Sequence, residues 1–221
     1  MSGIRGTDRK VFSRAAVVVA HPDDEILWVG GTLLMNPDCH FTVVTLCRGS
    51  DPDRAQKFSR VLRYLGASGT MGDLDDEPEQ NPLMPQEVRE AVLELLAGDR
   101  RFDVLFTHSP HGEYTRHRRH EEVGWALCDL WTAGDLYLGE LRLFAYEDEQ
   151  GRRYPTAIAS AHNSVHLPDK VFEEKLRIVT GLYGFPPEGW EARACPRVEA
   201  FWCFDSPDAL TRWLEQGGTG P

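Results

Sequence analysis

The sequence predicts an α/β protein with a mostly parallel sheet and helices on both of its faces. Three observations carry this expectation. Short apolar runs stop abruptly at turn residues, as buried strands do. Segments with apolar residues at helical spacing lie between those runs. The alternation then repeats several times with connections of ordinary length, the mark of parallel strands joined by crossover helices. The 221 residues fit one domain, 1–221, whose opening residues Met1 to Lys10 read as a polar lead-in.

The first strand is Ala15-Ala16-Val17-Val18-Val19, ending at Ala20-His21-Pro22-Asp23-Asp24-Glu25. Pro22 keeps His21 out of a helix and suits the entry to the next element, a helix over 24–35. Gly30-Gly31 in that helix implies close approach by a neighbour. A second strand runs from His40 to Cys47. Asp51-Pro52 caps and opens a helix to about Leu65, with Phe58, Val61, Leu62 and Leu65 at helical spacing. A short strand near Ser68 to Met71 leads into the acidic stretch Gly72-Asp73-Leu74-Asp75-Asp76-Glu77-Pro78, read as a solvated loop. Pro85 to Ala97 is expected as a helix and Val104 to Thr107 as a strand that again stops on a histidine, His108. Further on, a strand over 141–147, a helix over 168–183, a strand over 199–204 and a last helix over 206–215 are expected.

Composition narrows the class of partner. The chain is 41% hydrophobic and 27% charged with a formal net charge of -11, which describes a globular protein and argues against nucleic acid or an anionic membrane as partner. Arg116, Arg118 and Arg119 form one small basic group, suited to a single anionic ligand. No apolar stretch reaches membrane-spanning length. Five cysteines without a C-x-x-C pair point to reduced thiols and a cytoplasmic setting. Nothing in the sequence indicates a homo-oligomer.

Two clusters carry the chemistry. His21, Asp23 and Asp24 crowd the carboxyl end of the first strand, where α/β proteins keep their sites. The second, His108 to His120, holds four of the eight histidines. A helix begins near its end, with His120 in the apolar stripe of Val123, Leu127, Leu130 and Trp131, His117 one turn earlier at its border, and Arg118 pointing away. Two imidazoles and one carboxylate around an open position are what a hydrolytic zinc centre needs. His21, Asp24 and His120 supply that set. Asp23, beside a ligand but off the metal, fits the general base, and His117 fits a group that stabilises an oxyanion or protonates a leaving amine.

Ala-His-Pro-Asp-Asp-Glu, the strand end from Thr45 to Gly49, and Gly-Glu-Tyr running into His-x-x-His together resemble the zinc-dependent N-acetylglucosaminyl de-N-acetylases, the PIG-L or LmbE-like family. The resemblance covers roughly residues 15–130. It implies a Rossmann-like three-layer fold and zinc, or another divalent metal in its place, on His21, Asp24 and His120. It also implies Asp23 as base, His117 as acid or oxyanion stabiliser, and Arg54 and Tyr114 as substrate contacts. The expected activity is removal of an N-acetyl or related acyl group from an amino-sugar conjugate by metal-activated water. The chain departs from the family in one informative place: His117-Arg118-Arg119-His120 stands where His-Pro-Asp-His is usual. Arg119 is expected to disfavour a charged His117, and Glu113 or Glu121 to take over the missing aspartate's role. Tyr114 also lies three residues before His117 instead of two.

Other readings are weaker. A non-haem iron oxygenase uses a similar triad, but with a His-x-Asp spacing on a β jelly roll. A dinucleotide-binding protein would need G-x-G-x-x-G after the first strand, where His-Pro-Asp-Asp stands. A catalytically impaired relative that binds zinc or a sugar would have no need of Asp23 and His117.

Overall fold

The computed structural model describes residues 12–114 and 117–218. The lead-in Met1 to Lys10 and Arg116 lie outside the described residues. A seven-stranded sheet forms the centre, built from β1 (Arg14–Val19), β2 (His40–Thr45), β3 (Ser68–Met71), β4 (Val104–Thr107), β5 (Leu141–Phe144), β6 (Asn163–His166) and β7 (Val198–Phe204). In space the order is β6-β7-β5-β4-β1-β2-β3. β1 pairs in parallel with both β2 and β4, Val17 standing opposite Val43 and Phe106, and β7 alone runs against the rest, antiparallel to both β5 and β6. This is the expected α/β class with the doubly wound order of a Rossmann-like sheet.

Helices cover both faces. The α1 (Asp24–Leu34), α2 (Pro52–Leu65) and α5 (Asp169–Arg177) helices close one core over Val17, Val19 and Phe106. The α3 (Pro85–Leu95), α4 (Arg118–Thr132) and α7 (Pro207–Glu215) helices close the other over Ala16, Val18 and Leu105. Because successive strand residues face opposite ways, β1 feeds both cores and is buried from Ala15 onward. A short α6 (Trp190–Ala194) lies near the carboxyl ends of the strands.

Local chemistry accounts for the boundaries. Asp51 accepts from the amides of Asp53 and Arg54 at 3.0 and 3.1 Å, capping α2 with Pro52 at its first position, and Gly66 closes it at φ 67°. Near Gly31, α1 meets Leu167 and Glu199. Glu199 accepts from the amides of Gly31 and Thr32 and from the Lys175 ammonium, all within 2.8 Å, so this buried ion pair is fully satisfied.

Two expected elements differ in extent, and β6 and α6 have no counterpart among the expected elements. The strand over 141–147 divides at Ala145: Leu141–Phe144 joins the main sheet, while Tyr146–Glu147 turns off to pair with Thr156–Ala157. The helix over 168–183 is α-helical only to Arg177 and finishes in a π-helical turn, Ile178–Leu182, after which the Tyr183 hydroxyl reaches Glu25. No helix among the described residues is long and apolar enough to cross a membrane.

Candidate metal centre and cleft

Reversal of strand order between β1 and β4 opens a crevice at their carboxyl ends, the usual binding position in such sheets. His21 arrives there directly from β1. His120 arrives on α4, which presses on the chain leaving β4. A Cβ at Gly124 would stand 2.8 Å or less from the backbone of His108 to Pro110, so only glycine lets α4 approach that closely.

Three donor atoms converge. His21 Nδ1 lies 3.3 Å from Asp24 Oδ2, His120 Nε2 lies 3.4 Å from the same oxygen, and the two nitrogens are 3.3 Å apart. Metal–ligand distances of about 2.0–2.1 Å in a tetrahedral site require donors about 3.3–3.4 Å apart. The triangle therefore matches a zinc-sized ion.

Each donor is oriented by a bond to its other polar atom. His120 Nδ1 faces Glu113 Oε2 at 2.8 Å, and His21 Nε2 faces Asp76 Oδ1 at 3.1 Å. The Trp28 indole donates to Asp24 Oδ1 at 3.0 Å, leaving Oδ2 for the triangle. Carboxylates behind both imidazoles fix the tautomer that offers a lone pair to a metal. Without a metal, a proton does the same work: burial would lower the His21 pKa, but Asp24 and Asp76 outweigh it and hold it at about 10.

His108 is a buttress of this group. Its Nε2 accepts from the Ala20 amide at 3.0 Å and its Nδ1 faces Glu113 at 3.1 Å, so neither nitrogen is left for an ion. Its ring stacks on His120 at 3.8 Å. Burial would raise the Glu113 carboxyl, yet His108 and His120 hold it down at about 2.

Four expectations about this region are overturned. The acidic stretch after β3 is not simply solvated, because Asp76 turns inward to His21, to Gln80 at 2.9 Å and to Arg48 at 2.6 Å. Glu113 and Glu121 do not replace the missing aspartate: Glu113 serves His108 and His120, and the buried Nδ1 of His117 has no hydrogen-bond partner. Arg119 is also not what neutralises His117. It is 1% exposed and reaches Asp75, the Asn81 carbonyl at 2.8 Å and Glu122 at 2.5 Å. Arg118 is exposed while Arg119 is buried, so these two do not form one anion site.

His117 lies at the amino end of α4, its ring 4.4 Å from that of His120 and 4.8 Å from that of His21. Burial first, then any charge on His120 and His21, pushes its pKa down to about 3, so it is neutral at pH 7. Asp23 takes a rare backbone conformation, φ 138°, with its amide on Glu25 Oε2 at 2.9 Å. Burial and the Asp24 charge raise the Asp23 carboxyl, and Arg54, 3.2 Å away, partly offsets them.

These groups line a cleft of about 420 Å³. Arg54 and Tyr114, expected as substrate contacts, both face it, as do Arg48, Asp51, Trp190 and Glu191. Tyr114 lies between Trp28 at 5.9 Å and Trp190 at 5.0 Å. Sequence reasoning missed Asp76, Glu113 as the orienter of His120, and Glu191; no spacing relates them to the histidines. Of the aromatic residues and histidines in the C-terminal third, Trp190 lines the cleft while Tyr154, His162 and His166 do not. His162 holds the Cys203 amide at 3.0 Å.

A Rossmann-like sheet whose crevice gathers two carboxylate-backed imidazoles and an aspartate defines an α/β protein with a candidate mononuclear metal site. The family model for PIG-L, GlcNAc-PI de-N-acetylase, matches residues 16–131, and the chain belongs to that family. No curated protein sequence matches it significantly. Among solved structures, it is similar to N,N'-diacetylchitobiose deacetylase from Pyrococcus horikoshii (TM-score 0.66, 16% identity, covering 88% of this chain and 84% of that one). It is also similar to the A40926 pseudoaglycone deacetylase (0.61, 15%, 87% and 98%) and to a 4-carboxy-2-hydroxymuconate hydratase from Pseudomonas putida (0.53, 15%, 93% and 88%). At such identities these likenesses show the fold, and the hydratase demonstrates that the fold alone does not fix the reaction.

Proposed function

We propose that the chain, acting as one domain, is a zinc-dependent hydrolase that removes an N-acetyl group from an N-acetylglucosamine-type conjugate. The observation that carries this is the 3.3–3.4 Å triangle of His21 Nδ1, Asp24 Oδ2 and His120 Nε2 beside the Arg54-held Asp23 and an orphaned imidazole nitrogen. Family membership supports the amide as the bond cleaved. Five cysteines, with no disulfide among the described residues, suit a reducing compartment such as the cytoplasm.

In this reading His21, Asp24 and His120 hold the metal. When bound it supplies Lewis acidity, making a water ionisable near pH 7 and polarising the amide carbonyl. Asp23 takes the proton from the attacking water on its carboxylate and returns it to the departing amine nitrogen. A raised carboxyl pKa suits a group that must both gain and release a proton near neutrality. Neutral His117 serves as a hydrogen-bond donor to the developing oxyanion, not as a charged acid, and this contact satisfies one of its ring nitrogens. Arg54 holds Asp23 in place and, with Tyr114, meets the sugar.

The test is mass-spectrometric detection of acetyl loss from a panel of N-acetylglucosamine conjugates, with and without chelator. Turnover should vanish with chelator and fall at least a hundredfold in Asp23→Asn, while metal content stays at one ion per chain. Stoichiometric metal with no hydrolysis of any amide in the panel would leave only a binding role.

A further inference from the structure

The cleft also carries information on what the amino sugar is attached to. Both of its guanidiniums are already engaged. Arg48 is held by Asp76 at 2.6 Å, while Arg54 is held by Asp23 at 3.2 Å and packs on Phe185 at 5.0 Å. The nearest cations on the flanking helices are engaged too, Lys57 by Asp53 at 2.6 Å and Arg193 by Glu188 at 2.7 Å. Among the described residues every cation that faces the cleft already has a carboxylate partner.

The carboxylates outnumber the guanidiniums. Past Arg48 and Asp51 the cleft continues into a hollow of about 400 Å³ whose other charged residues, Asp73, Asp75, Asp76 and Glu77, are all acidic. On the α6 side stand Trp190, 40% exposed, and Glu191, whose carboxylate makes no hydrogen bond or ion pair among the described residues. An exposed indole next to a free carboxylate offers a flat apolar face and a negative charge to the same ring, and both attract an ammonium. A divalent ion would offset Asp24 and Asp23, and Arg48 and Arg119 offset Asp76 and Asp75, which leaves the Glu191 charge. That the cleft takes a ligand at all rests on separate observations, the converging donors and the buried, unpartnered Nδ1 of His117.

We propose that the N-acetylated sugar is joined to a second ring bearing an ammonium group, seated against Trp190 and Glu191, and that anionic conjugates are disfavoured. This rests on the deacetylase reading and names its substrate class. The experiment uses three disaccharides with the same N-acetylglucosamine at the non-reducing end, linked to glucosamine, to N-acetylglucosamine or to glucuronic acid. The zinc-loaded enzyme should show kcat/KM falling in that order, with at least tenfold between the ammonium and carboxylate conjugates in low salt. The gap should narrow in 0.5 M salt as the outer charges are screened. Glu191→Lys, checked for an unchanged circular dichroism spectrum, should reverse the order of those two. Calorimetric binding to zinc-loaded Asp23→Asn ranks the same compounds without turnover. The ammonium conjugate binding most tightly there supports the inference even if no acetyl is released, which would sink the reaction alone. The glucuronide binding or turning over as well as the glucosaminide, or no compound binding, overturns it.

Discussion

Asp23 sits at φ 138°, a conformation L-residues rarely adopt, in the turn where β1 becomes α1. Strain of this kind costs roughly 1–3 kcal/mol and persists only where the surroundings enforce it. Here the enforcement is visible: Pro22 precedes it, the Asp23 carbonyl accepts from the amides of Ile26 and Leu27 at 2.9 Å, and Glu25 holds its amide. Asp23→Gly should therefore raise the melting temperature of the metal-free chain by a few degrees while abolishing turnover; a lower melting temperature would show that no strain is stored. Glu25 carries a pH signature. It is buried, which raises its pKa from an ordinary 4.5 to about 7 despite bonds from Tyr183 and the Asp23 amide. The folded chain thus keeps this proton where the unfolded chain loses it. The stabilisation is complete below pH 4.5 and is lost as the pH rises through about 7. The melting temperature of metal-free wild type minus that of Glu25→Gln should fall steadily between pH 4.5 and 7.5, and a flat difference would refute the assignment.

At the scale of elements, the segment between β3 and α3 holds the centre from behind. Arg119 on α4 grips it through Asp75 and the Asn81 carbonyl, and that grip delivers Asp76 to His21. Asp76→Ala should weaken metal binding 10- to 100-fold, as loss of such an outer partner usually does. Arg119→Ala should weaken it as well, although Arg119 touches no ligand, and competition against a metal indicator dye reads both affinities. Unchanged affinity in Asp76→Ala would remove this loop from the site. The loop also explains what the sequence left illegible. Asp75 and Asp76 look like any acidic surface turn, because the residue that pins them lies more than forty positions away on another element. The helix and strand limits were far more legible. Asp51-Pro52, Pro85 and Gly66 fix local backbone chemistry, so α2 and the start of α3 fall where local signals put them.

Taken as a whole, the molecule gathers ligands from one end of β1 and from α4, on opposite sides of the reversal in strand order. A metal bound there crosslinks segments 99 residues apart and stabilises only the folded state. At a hundredfold excess over its dissociation constant it contributes about 2.7 kcal/mol. For a chain of this size that corresponds to a rise of roughly 5–10 °C, which chelator should remove and added zinc restore in a thermal melt. His21→Ala should show no such shift.

The sequence by itself determined the α/β class, the order of most strands and helices, and the identity of the three candidate ligands with their neighbouring Asp23. All of these follow from local periodicity, turn chemistry, or short motifs read along the chain. Only the tertiary structure decided that Glu113 orients His120 instead of His117, that Arg119 secures a loop, and that Trp190 and Glu191 wall the cleft. Those roles depend on which side chains meet across elements distant in sequence, and residue spacing along one chain carries no record of such meetings.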